Sequence, residues 1–109
     1  MPTALTIPSA HYAAVRDLAI FDGTGPRPQF LVDGEKLKVL VAALEPGQRI
    51  PAHPETLAVY YFLEGDGVMT VNDETIPVAA GAAVIAPAGA TRGMEAASQL
   101  VFLAAKAGN

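Results

Sequence analysis

Residues 81–92 read Gly81-Ala82-Ala83-Val84-Ile85-Ala86-Pro87-Ala88-Gly89-Ala90-Thr91-Arg92. Upstream stands Pro46-Gly47-Gln48-Arg49-Ile50-Pro51-Ala52-His53, followed by Tyr60-Tyr61-Phe62-Leu63-Glu64-Gly65. In the first stretch a short apolar run, Ala82 to Ala86, is bracketed by residues that punctuate a chain. Gly81 and Gly89 accept positive φ at strand junctions, and Pro87 sets φ where the strand runs into a loop. The stretch therefore reads as one short strand between two sharp turns.

The rest of the chain repeats this pattern. Lys36 to Leu44 is a strand ended by Glu45-Pro46-Gly47, which is turn chemistry. Thr56 to Leu63 is rich in β-branched and aromatic residues and is apolar on both faces. Gly65-Asp66-Gly67 makes a tight turn into Val68–Val71, and Asn72-Asp73 closes a hairpin to Thr75–Val78. Gln99 to Ala105 is the last strand. Short strands at intervals of about ten residues indicate an all-β sandwich or barrel. Residues 1–20 admit two readings: a helical turn capped by Ser9 and running through His11 to Arg16, or an edge strand at Ala19-Ile20-Phe21. Asp22 to Pro28 is a loop by composition.

A chain of 109 residues is expected to form one domain, with an N-terminal segment and loop over 1–35 and a barrel over 36–105. Hydrophobic residues are 51% of it and charged residues 17%. That apolar excess predicts either that both faces of the sheets are covered or that an apolar face is buried against another subunit, with a homodimer the favoured reading. A net charge of −4 and scattered Lys and Arg residues point away from nucleic acid and from anionic membranes. With no cysteine, disulfides, thiolate metal sites and cysteine nucleophiles are excluded. No apolar run reaches membrane-spanning length and no leader pattern opens the chain, so a cytoplasmic protein is expected. The two histidines, His11 and His53, are too few for a three-histidine metal centre in one copy.

The two quoted stretches resemble the paired motifs of the cupin family. The first family motif, G-x5-H-x-H-x3/4-E-x6-G, is matched at Gly47 and His53, with Tyr60–Gly65 resembling the strand and turn that close it. The second, G-x5-P-x-G-x2-H-x3-N, is matched without a gap at Gly81, Pro87 and Gly89 up to its histidine position, where Arg92 stands. The resemblance runs from Gly47 to about Ala96, and it implies a double-stranded β-helix, or jelly-roll barrel. Cupins usually hold a divalent metal on the histidines and glutamate of these motifs. Carried over residue by residue, the positions read His53, Glu55, then Ala58 (anchored on Gly65) or Tyr60 (anchored on Gly67), and finally Arg92. At most two ligands survive, since a guanidinium has no lone pair to donate. Weak divalent binding at His53 and Glu55 is the most such a set offers, where a catalytic site usually has three protein ligands.

The candidate pocket residues are therefore His53, Glu55, Tyr60, Phe62, Arg92 and Met94, with no metal assigned. Tyr60 and Phe62 share one strand face and Tyr61 takes the other. For Arg92 three readings stand: an internal ion pair with Glu55, an anchor for a ligand carboxylate or phosphate, or a solvent-facing side chain on a Gly89–Met94 loop. Glu64, Asp66, Asp73 and Glu74 read as solvated turn residues. No Ser/His/Asp set, phosphate-binding glycine loop or paired-carboxylate motif stands out. Three functions follow: a metal-independent barrel that binds a small organic molecule, anions included; a residual metal-dependent dioxygenase or isomerase using His53 and Glu55; and a non-catalytic barrel kept for dimerisation.

Overall fold

The computed structural model describes residues 8–108. After a single 3-10 turn at Val15–Leu18, nine strands follow: β1 (Gln29–Asp33), β2 (Leu37–Leu44), β3 (Arg49–Pro54), β4 (Ala58–Glu64), β5 (Asp66–Val71), β6 (Glu74–Ala79), β7 (Ala83–Ala86), β8 (Thr91–Ala96) and β9 (Leu100–Ala107). They build two antiparallel sheets, ordered β1-β2-β9-β4-β7 and β3-β8-β5-β6. The chain passes back and forth between the sheets, so the two inner faces close on each other as a jelly-roll barrel. No helix among the described residues is long and apolar enough to cross a membrane.

Period-two alternation decides which side chains enter the barrel. On β4, Ala58, Tyr60 and Phe62 are buried, while Tyr61 is 45% exposed. Register then stacks these inward residues in layers across the larger sheet. Lys106 of β9 lies between Lys38 and Ala58, Ala104 between Leu40 and Tyr60, and Phe102 between Ala42 and Phe62. On the smaller sheet Arg92 lies between His53 and Val71, and Met94 between Ile50 and Met69. The innermost layer is sealed by aromatic rings. Phe102 sits 6.0 Å from both Tyr60 and Phe62 in tilted pairs, the geometry that ring quadrupoles favour. Complete burial of Phe62 contributes about 2–3 kcal/mol.

The continuous apolar runs of β2 and β9 have a second cause, on the outer face. Val41, Ala43 and Val101 are buried there beneath Val15, Ala19, Phe21 and Leu31. The N-terminal segment thus covers the barrel's own sheet. Ala19–Phe21 is not a strand, and the helical turn starts at Val15 without a side-chain cap, so Ser9 does not cap it. Apolar burial overrides local capping here. Arg16 holds the segment in place by donating from Nε and Nη2 to the two Glu64 carboxylate oxygens at 2.7 and 2.8 Å. Glu64 is therefore a paired strand residue, not a solvated turn residue. Asp66 is also engaged, accepting from Ser98 Oγ at 2.5 Å.

Three strands escape the sequence reading. β1 lies within the expected N-terminal segment, β3 coincides with the first motif, and β8 covers residues that one of the three readings of Arg92 assigned to a Gly89–Met94 loop. The cause in β3 is a bulge: between Ile50 and His53 the register gains a residue relative to Met94 and Arg92. This extra residue lets Ile50 and His53 share the inner face despite their odd spacing, and it hides the alternation. The bulged strand passes close to β8 at Gly93, where a Cβ would lie 2.6 Å from the Ile50 carbonyl oxygen and 2.9 Å from the Ala52 nitrogen. The two-residue hairpin at Asn72-Asp73 forms as expected, with Val71 opposite Glu74 and Asn72 at φ 52, a conformation asparagine tolerates.

Gly93→Ala should therefore force β3 away from β8. The expected loss of stability is about 1–3 kcal/mol, read from urea denaturation. An unchanged midpoint would show that the two backbones separate without cost.

Candidate functional site

Between the sheets, open at the end where β3 runs into β4, lies a cavity of about 240 Å³. Its walls are mainly apolar: Leu40, Ala42, Ile50, Met69, Met94 and Phe102, with Pro26 and Pro28 of the N-terminal loop at the rim. Its polar groups are His53, Glu55, Lys106, Arg92 and Tyr60. Five of the six expected pocket residues thus meet around one space. Phe62 does not line it, because its ring packs one layer deeper, against Phe102.

Arg92 is the pivot. Its side chain is 2% exposed, which excludes the solvent-facing reading, since residue 92 lies on β8 and points inward. Nor does it pair with the Glu55 carboxylate. Nη1 donates to the Thr56 carbonyl at 2.6 Å. Nη2 reaches the carbonyls of Glu55 at 3.1 Å, Pro87 at 2.9 Å and Ala90 at 2.9 Å, and Nε also donates to Ala90 at 3.1 Å. A buried charge demands acceptors, and here the backbone supplies them. The forked guanidinium clamps the β3–β4 turn to the β7–β8 turn, an arrangement that a point-like ammonium cannot reproduce. The expected ion pair fails for a local reason: Glu55 turns its carbonyl, not its carboxylate, toward Arg92.

The Glu55 carboxylate faces two other partners. His53 near the end of β3 and Glu55 just beyond it form a short hydrogen bond between Nε2 and Oε2. Lys106 donates from Nζ to Oε1 at 2.8 Å. Burial by itself pushes the Glu55 carboxyl up, but the hydrogen bonds and charges of Lys106 and His53 outweigh it and hold it below its ordinary value. His53 Nδ1 is also 2.9 Å from the Pro51 carbonyl, so both ring nitrogens face acceptors.

Lys106 was missed by the sequence reading, as were Met69 and Phe102. A signal existed. Inward positions on β9 are the even ones, and continuing that parity past Phe102 and Ala104 reaches Lys106. The apolar run masks its charged last member.

A divalent metal does not fit this set. His53 and Glu55 are the one imidazole and the one carboxylate lining the cavity, each already engages the other, and Lys106 occupies the second carboxylate oxygen. The fourth family position carries the guanidinium of Arg92. Among the described residues no group of three His, Cys, Asp or Glu side chains converges for a metal.

Two outcomes are expected. Arg92→Met leaves several turn carbonyls without donors and should cost about 3 kcal/mol or more in chemical denaturation, and Arg92→Lys should recover less than half of that. A lysine that restores full stability would show that charge, not the fork, is what matters. Because the Glu55 pKa is lowered by folding, its ionised form is favoured in the native state. Its stabilisation is present at neutral pH and fades as pH falls below the ordinary glutamate range, about 4.3. Glu55→Gln should therefore flatten the acid limb of a stability–pH curve.

The same barrel recurs in known proteins. The cupin-domain family model matches residues 40–105. A protein from Thermus thermophilus superposes with a TM-score of 0.78 and 32% identity, over 84% of this chain and 91% of that one. A conserved protein of unknown function from Streptococcus pyogenes gives a TM-score of 0.83 at 24% identity, over 94% and 91% of the two chains. A salicylate 1,2-dioxygenase from Pseudoaminobacter salicylatoxidans gives 0.71 at 18% identity, over 78% of this chain and 27% of that one. The last two likenesses show the fold alone. No curated protein matches the sequence significantly. Since the matched stretch runs from β2 to β9 and takes in more than half of the residues, this chain belongs to the cupin family.

Proposed function

We propose that this cupin binds a small organic anion in its barrel without a metal. The observation that carries the reading is a charge imbalance in an apolar cavity. Arg92 and Lys106 face a single carboxylate, Glu55, so the lining keeps one net positive charge even with His53 neutral. Apolar walls with a few converging polar groups are the usual make-up of a small-molecule site, and the low-dielectric setting strengthens the attraction for an anion. Arg92 gives most of its donors to backbone carbonyls, which leaves Lys106 and His53 at the open end as the groups that meet the ligand's charge. Glu55 orients both of them. The cavity is smaller than those that hold drug-sized molecules, and its volume is that of about eight waters.

Benzoate is a suitable first probe, titrated calorimetrically into protein stripped of metal and into protein supplied with zinc or manganese. Equal affinity in both is expected, with Lys106→Met weakening it about tenfold. Binding that requires the added metal would sink the metal-free reading.

A specific observation also supports the dimer expected from composition. Beside the face covered by the N-terminal segment, the larger sheet leaves an outer groove lined by Leu37, Leu57, Val59, Ile85 and Ala105, with Ile85 68% exposed. Among the described residues that line it, Lys36 is the only charged one. For a chain with net charge −4, a face free of carboxylates is where a second, like-charged copy meets least repulsion. Ile85→Lys should convert a dimer to a monomer in light scattering, and a wild-type monomer at high concentration would end this reading.

A further inference from the structure

One polar group in the cavity has no partner in the barrel. Tyr60 is only 4% exposed, and no described residue hydrogen-bonds its hydroxyl, whereas Arg92, His53, Glu55 and Lys106 are all engaged. Every side-chain polar atom sealed from open space, among the described residues, does have a partner. The Tyr60 hydroxyl is therefore not sealed, and the space it opens on is the cavity it lines.

Its surroundings restrict what can satisfy it. Tyr60 belongs to the layer of Leu40 and Ala104, one layer inside Lys106 and Ala58, or about 7 Å along the strand. The apolar walls of the cavity are Leu40, Ala42, Ile50, Met69, Met94 and Phe102. None of these offers the further hydrogen bonds that a fixed water needs. A phenylalanine ring could pack on Phe102 in the same way, so the hydroxyl is what tyrosine adds at this position.

We propose that Tyr60 is the specificity-determining contact of the anion site, and that the ligand carries a second polar atom beyond its charged group. The inference rests on the anion-binding reading above. The ligand class is then a small hydroxy- or oxo-acid that takes the place of about eight waters, at about 30 Å³ each. Its carboxylate lies at Lys106 and His53, its carbon body lies among the two methionines and Phe102, and its distal oxygen meets the Tyr60 hydroxyl. A site built to hydrogen-bond a ligand oxygen discriminates against the analogue that lacks it, because its own polar group is then left unpaired. A phenol both donates and accepts, so a hydroxyl or a carbonyl oxygen serves.

The test uses matched pairs of acids on the metal-stripped protein: benzoate against 4-hydroxybenzoate, and hexanoate against 5-oxohexanoate. Dissociation constants come from calorimetry or ligand-observed NMR. In at least one pair the oxygenated acid should bind about tenfold tighter. Tyr60→Phe should erase that gap, so that the two acids of the pair bind within about twofold of each other. Plain acids that bind as well as their oxygenated partners in the wild type overturn the role of Tyr60 and leave the anion site standing. So does a gap that survives in Tyr60→Phe. Failure of all four acids to bind removes the anion site itself, and this inference with it. The wild-type comparison is decisive even if the variant does not fold.

Discussion

A guanidinium that cannot lose its proton, sealed inside a small barrel, must find hydrogen-bond acceptors or the fold does not hold. Arg92 finds them in the carbonyls of Glu55, Thr56, Pro87 and Ala90, and much of the open end of the barrel follows from that need. Two turns, each crossing between the sheets, are bound to one side chain. The Gly89 amide adds to the same junction by donating to the Glu55 carbonyl at 2.8 Å. In the family pattern a metal joins the two motifs at this position. Here an organic cation of fixed charge joins the turns that carry them, through backbone oxygens instead of side-chain ligands.

That substitution shapes the rest of the site. With the Glu55 carbonyl given to Arg92, its carboxylate is left for His53 and Lys106, and those three form the charged layer at the mouth. Below it the side chains turn apolar within one strand repeat, and below that the Phe102 ring closes the floor, backed by Phe62. The cavity is what remains between a charged layer and an aromatic one. Its polarity gradient follows from register, because inward positions on β9 run from Phe102 through Ala104 to Lys106.

Much of this was legible in the residues, but not evenly. The Asn72-Asp73 hairpin, the junctions at Gly81 and Gly89 (φ 93 and 82) and the buried side of β4 could be read directly, because turn chemistry and period-two alternation are local. β3 could not, since its bulge breaks the alternation and becomes visible only when paired with β8. Gly93 looked ordinary for the same reason, as the backbone it makes room for comes from another strand. The N-terminal segment admitted two readings because Ala19 and Phe21 follow the demand of an exposed sheet face far along the chain, not their own propensities.

By itself the sequence determined the all-β barrel, its main turns and the residue types at the family's metal positions, since each depends on residue identity at a given position. The partners of the charged residues were decided only by the tertiary structure. Arg92 and Glu55 were rightly placed together, yet the expected ion pair between them does not form. A backbone carbonyl competes for a buried guanidinium as well as a carboxylate does, and a lysine fifty-one residues away reaches the carboxylate first. Electrostatic partnership depends on distance and direction in space, and neither is written in the order of the residues.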